Sequence, residues 1–167
     1  TRLHDEPQAA ESQNSNLIGR LDIGTGKFSE YSVPTQNARP YGIALAGDGA
    51  LWFCEVSGAK LGRVDPATGA ITEFTPSEPG VEPRRLVAVG GAIYFTDSGG
   101  GRLGRLTLAD KKFKLWDSPS GTHSAPYGIA SDSAGKIWYE ESGKDANNLV
   151  RFDPAVEVFR TYPMPAP

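Results

Sequence analysis

The chain has 167 residues and a mass of 17.8 kDa, the size of one ordinary domain and too short for two. Seventeen Lys and Arg against 20 Asp and Glu leave a formal charge of −3, so the basic footprint that recruits nucleic acid is missing. Apolar residues make up 38% of the chain, and no apolar run approaches the ~18 residues of a membrane-spanning helix.

Twenty Gly and 13 Pro cut the sequence into many short elements and argue against long helices. A single cysteine, Cys54, excludes an intrachain disulfide and is expected to be a buried, inert thiol. Residues 1–15 are polar and read as a flexible leader or linker rather than a strand. The chain opens on Thr with no charged-then-apolar leader, so any targeting segment is expected to be absent or already removed. That start points to a periplasmic or secreted location.

From Leu17 onward the sequence repeats. Leu17-Ile-Gly-Arg20 returns as Lys60-Leu-Gly-Arg63, Arg102-Leu-Gly-Arg105 and Asn148-Leu-Val-Arg151. The third position advances by 43, 42 and 46 residues, from Gly19 to Gly62, Gly104 and Val150. A period of that length is that of four-stranded propeller blades. Residues 17–33 supply the last two strands of a half blade. Within residues 40–77, Pro40 to Leu45 reads as a crowded inner strand, and Ala50 to Glu55 as an aromatic one after the Gly47-Asp-Gly49 turn. Leu61 to Asp65 gives a third strand, Pro66-Ala-Thr-Gly69 a turn, and Ile71 to Thr75 an alternating outer strand. The pattern recurs over about 83–119 and 126–163. The fold class is therefore all-β, a β-propeller with about three and a half four-stranded blades over residues 16–167.

Propellers close with four to eight blades, so this count leaves open strand edges, which invite pairing. Three readings stay open: the residues belong to a longer polypeptide, they pair with a second copy to make seven blades, or they stand as an open array. The partners expected are the remaining blades of the same protein or a second copy, with no nucleic acid and no membrane span.

The blade wording is specific. Pro40-Tyr-Gly-Ile43, Asp48-Gly-Ala-Leu-Trp-Phe-Cys-Glu55, Leu61-Gly-Arg-Val-Asp-Pro-Ala-Thr-Gly69 and Ile71-Thr-Glu-Phe74 resemble the virginiamycin B lyase (streptogramin lyase) family. The resemblance implies a seven-bladed propeller and a magnesium-assisted elimination that opens the ester ring of a cyclic depsipeptide antibiotic. It also implies a histidine after the Pro that starts an inner strand, in a Glu-Pro-His-Gly type motif, and a glutamate ending the neighbouring Trp-Phe strand. The matching pairs here are Tyr41 with Glu55, Arg84 with Asp97, and Tyr127 with Glu141; only Glu82 matches the acid before the Pro. The carboxylates are present and the histidine is absent from all three repeats. His4 and His123 match no part of the motif. Elimination needs a base near neutrality; Arg keeps its proton and Tyr titrates near ~10. No catalytic residue is assigned, and magnesium is expected only with lyase activity, with no other cofactor and no metal site.

Candidate ligand contacts are Tyr41, Glu55, Glu82, Arg84, Arg85, Asp97, Tyr127 and Glu141 at the channel mouth. Because Glu55, Asp97 and Glu141 recur in every repeat, the alternative is that they accept backbone N–H bonds at turns. Arg84-Arg85 replaces Tyr-Gly and breaks the symmetry; its alternative is an ion pair with Glu82 or Asp97. Tyr41 and Tyr127 would flank it, or simply pack. Glu140-Glu141 doubles an acid, and the loop Ser142–Asn148 is two residues longer than its counterparts. Trp52, Trp138, Phe53, Phe95 and Tyr139 are expected between sheets, and Trp116 partly exposed. Gly99-Gly-Gly101 lacks the helix and Lys-Ser/Thr of a phosphate loop, and Asp48-Gly49 is too little for a calcium site. The functions weighed are a propeller segment for ligand binding or scaffolding, an elimination enzyme whose catalytic blade lies outside these residues, and an interaction module whose edges accept partner strands. The ligand expected is small and polar or anionic.

Overall fold

The computed structural model of the chain describes residues 8–12, as backbone, and 15–165. Among them fifteen strands form four antiparallel sheets with no helix. The first sheet joins β1 (Gln8–Ser12), β2 (Leu17–Leu21) and β3 (Phe28–Ser32). The second runs in order β4 (Pro40–Leu45), β5 (Leu51–Glu55), β6 (Lys60–Val64), β7 (Ile71–Phe74). The third holds β8 (Pro83–Val89), β9 (Ala92–Asp97), β10 (Arg102–Thr107) and β11 (Phe113–Asp117). The fourth holds β12 (Pro126–Ser131), β13 (Ile137–Glu141), β14 (Asn148–Asp153) and β15 (Val158–Pro163). Sequential hairpins within each sheet and stacking of sheet on sheet make a partial β-propeller.

One boundary differs from the sequence reading. Gln8–Ser12, placed in a flexible leader, is a strand that pairs with β2 from Gln8↔Leu21 to Ser12↔Leu17. Its composition is polar, but pairing satisfies the backbone edge that β2 would otherwise leave open. The first sheet thus has three strands, not two. Residues 1–7 and 13–14 lie outside the described residues.

Each interface between sheets carries its own core. Ile18, Val33, Ala38, Phe53 and Val64 fill the first, and Trp52, Leu61, Ile93, Phe95 and Leu106 are among those filling the second. Tyr94, Leu103, Ile137, Tyr139, Val150 and Phe152 belong to the third. The repeated Leu-Gly-Arg block has a packing cause. A Cβ on Gly62 would sit 2.0 Å from the Phe53 ring, and one on Gly104 2.1 Å from the Phe95 ring, so the glycine makes room for the aromatic paired with it. Trp138 departs from expectation. It is half-buried, stacked on Tyr162 at 5.6 Å between ring centres, with its indole N–H on Asp132. It lies on the face of the last sheet, where no further described sheet covers it. Trp116 is half-buried, packed against Phe152 at 4.8 Å.

Neighbouring sheets are also clasped at their outer turns. The left-handed residue between the third and fourth strands of a sheet reaches the sheet before it. Gly69 abuts Tyr31, Lys111 stands 5.9 Å from the rings of Trp52 and Phe74, and Glu157 bonds Lys114 and the Trp116 indole.

Candidate functional site at the channel mouth

The inner strands β4, β8 and β12 each begin with proline, a position that needs no ladder N–H. Each then slips register, between Pro40 and Ile43, Pro83 and Leu86, and Pro126 and Ile129. Such a bulge turns side chains out of the alternating pattern. It presents Tyr41 with Gly42, Arg84 with Arg85, and Tyr127 with Gly128. The strands lie close, because a Cβ on Gly42 would meet the Arg84 carbonyl at 2.6 Å and the Arg85 Cα at 2.8 Å. Thr96 Oγ1 donates to the Tyr127 carbonyl at 2.8 Å, and Ser98 Oγ donates to the Pro126 carbonyl. These bonds fix β12 against the third sheet.

Five of the eight sequence candidates gather here. The Arg85 guanidinium is 4.6 Å from the Tyr41 ring centre and 5.6 Å from that of Tyr127. The two rings are 6.1 Å apart and their hydroxyls hydrogen-bond to each other. Arg84 also approaches Tyr41, at 5.9 Å, while its Nη2 donates to Glu82 at 2.6 Å. The expected Arg84–Glu82 ion pair is therefore formed. Arg85 is exposed and has no carboxylate within ion-pair distance among the described residues. The Tyr41 hydroxyl and the Arg85 cation both favour the Tyr127 phenolate and lower its pKa. Partial burial works against the Arg85 charge, but contact with the two phenols outweighs it and raises its pKa.

The repeated acids take another place. Glu55, Asp97 and Glu141 are completely buried, and two of them accept backbone N–H bonds. Asp97 accepts from the Glu82 and Gly100 amides at 2.8 and 3.0 Å and from Arg102 Nε at 2.7 Å. Glu141 accepts from the Ser118 hydroxyl, the Ser120 amide and hydroxyl, and Asn148 Nδ2. Burial alone raises the Glu141 pKa, yet these donors outweigh it and hold it below the usual glutamate range. Glu55 has no hydrogen-bond partner on either oxygen.

His123, Glu140 and the longer loop make contacts of their own. His123 is exposed in the loop before β12, its Nδ1 at 3.5 Å from Thr122 Oγ1; His4 lies outside the described residues. Glu140 accepts from the Gly128 amide at 3.3 Å. In the longer loop after Glu141, the Gly143 amide bonds the Ser124 carbonyl. The sequence reading missed Glu73, whose side chain is 14% exposed although it stands on an outer strand. Its signal was a charge where the register puts Leu115 and Thr161 in the next two sheets.

The model of the virginiamycin B lyase family matches residues 8–167. The chain belongs to that family. A virginiamycin B lyase of Nocardia farcinica is 36% identical over 102 residues, which is 61% of this chain and 34% of that protein. A streptogramin B lyase structure superposes with a TM-score of 0.87 at 27% identity, covering 99% of this chain and 53% of the other. Virginiamycin B lyase of Staphylococcus aureus gives a TM-score of 0.89 at 27% identity, covering 100% and 55%. The chain thus spans about half the length of these structures.

Proposed function

We propose that this family member is a ligand-binding propeller segment whose mouth takes a small polar, anionic group on Arg85. The observation that supports the reading is the exposed Arg85 cation, flanked by Tyr41 and Tyr127, while the adjacent Arg84 is neutralised by Glu82. A guanidinium held over aromatic rings can still offer N–H groups to an oxyanion. Tyr41 and Tyr127 add hydroxyls beside that edge.

The absence of the mouth histidine weighs against elimination by these residues alone. The positions that carry the histidine in the resemblance hold Tyr41, Arg84 and Tyr127. The donor set does not suit magnesium either. Glu82 is paired with Arg84 and Asp97 with Arg102, Glu141 is bonded to serines and Asn148, and no cluster of three or more His, Cys, Asp or Glu stands among the described residues. A second reading, an elimination enzyme with its catalytic blade beyond these residues, rests on family membership and on the half-length coverage of the lyase structures.

The two readings separate in one experiment. The chain is titrated calorimetrically with succinate and with inorganic phosphate, and assayed for opening of a streptogramin B ring with magnesium and with a chelator. Binding lost in Arg85→Ala, without ring opening, is the expected result. Magnesium-dependent ring opening by the chain alone would overturn it.

A further inference from the structure

Three sheets repeat the same buried acid, and one of them has lost its donors. The residue opposite each acid on the third strand is Lys60 for Glu55, Arg102 for Asp97 and Asn148 for Glu141. Arg102 and Asn148 bond their acids. Lys60 instead puts its Nζ 2.7 Å from Glu73 Oε2 and 2.6 Å from Thr35 Oγ1. Thr35 stands four residues after Tyr31, as Ser120 stands four after Trp116, and Tyr31 and Trp116 occupy matching register positions. Ser120 gives its amide and hydroxyl to Glu141. Thr35 gives both to Glu73, at 2.7 and 2.8 Å. Position 118, the other donor to Glu141, is matched by Val33, which has no hydroxyl.

Glu73 has thus taken the donors that the symmetric position would offer Glu55. Glu55 is left completely buried with no donor to either carboxyl oxygen. An ionised carboxylate cannot be held that way at acceptable cost. We infer that Glu55 keeps a proton which the neighbouring Glu73 carboxylate stands ready to accept in a hydrogen bond, making the junction between the first and second sheets a pH-sensitive clasp.

The charges acting on Glu55 are Glu73 on β7 and Lys60 on β6; on the first-sheet side Thr35 bonds Glu73 and Asn16 bonds the Ala38 amide, and both side chains are neutral. Burial is the largest cause, and the Glu73 charge the next, that push the Glu55 pKa from 4.5 up to about 7, against the pull of Lys60. Glu73 moves the other way. Burial raises it, but Lys60 and the Thr35 amide and hydroxyl outweigh that and hold it ionised.

The sign follows. A carboxyl whose folded pKa lies above its unfolded value binds more protons when folded, so its contribution is present at and below 4.5 and is lost as pH rises towards about 7. Between those limits the folded-to-unfolded ratio falls on the order of a few hundredfold through this one group.

The test is equilibrium unfolding at about pH 5 and about pH 8, with the carboxyl 13C resonance of Glu55 followed across the same range. Glu55→Gln should remove the loss at the higher pH. Glu73→Thr, which installs the residue of the matching position in the fourth sheet, Thr161, should return Lys60 and Thr35 to Glu55 and lower its titration midpoint. A Glu55 resonance already ionised at about pH 5 would overturn the inference. So would a Glu55→Gln chain whose stability falls with pH in parallel with the parent. If Glu55→Gln does not fold, the Glu73→Thr midpoint decides: unchanged, it overturns the inference as well.

Discussion

Arg85 lies 4.6 Å from the ring centre of Tyr41, although the two residues come from inner strands of different sheets. Position 85 corresponds to Gly42 and Gly128, so this arginine occupies space that the repeat leaves empty on either side. Removing it takes away a charge and little core. Arg85→Ala should leave unfolding free energy within about 0.5 kcal/mol of the parent, while abolishing oxyanion binding in calorimetry. Arg85→Lys should bind more weakly than the parent, because an ammonium lacks the planar, bidentate edge.

Asp97 and Arg102 make the opposite case. The acid is completely buried and the Arg102 side chain is 18% exposed, with 2.7 Å between them. Asp97→Ala strands the guanidinium and removes the acceptor of two backbone amides. Chemical denaturation should show a loss of about 3–5 kcal/mol.

Gly104 should tolerate no side chain. A methyl there meets the Phe95 ring at 2.1 Å, so Gly104→Ala should cost about 1–3 kcal/mol by overpacking. Adding Phe95→Leu should recover part of that loss in the same denaturation experiment, since the two changes share one space.

Glu141 predicts acid sensitivity. Its folded pKa is lowered, so its contribution is present above the ordinary glutamate value of 4.5 and is lost as pH falls through the depressed value. Glu141→Gln should flatten the acid limb of a stability-against-pH curve and leave the slope above neutrality unchanged. This limb runs opposite in sign to the one assigned to Glu55.

The strands and their period were legible because the repeat is written locally. Each Leu-Gly-Arg glycine answers an aromatic on the adjacent strand, and each inner strand announces itself with Pro. β1 was not legible: Gln8–Ser12 has no aromatic and is a strand through its pairing with β2. The mouth was legible as a set of positions, since Arg84-Arg85 visibly breaks the repeat. Which arginine is left open and without a carboxylate was not, because it depends on Glu82 reaching Arg84 and not Arg85. The fate of Glu55 depends on a contact between Thr35 and Glu73 across two sheets, a distance that no local motif records. Trp138 read as core because its neighbours in the alignment are core. Its exposure comes from its place on the last described sheet.

The central claim is that Arg85 is the anion-binding group of the mouth. The most direct measurement is a 15N–1H titration of the arginine Nε–Hε resonances with succinate and with phosphate. The account predicts a saturable shift of the Arg85 resonance, with a smaller response at Arg84, whose guanidinium is held by Glu82. Saturation at Arg84 with Arg85 unmoved, or no saturable shift at either, would contradict it.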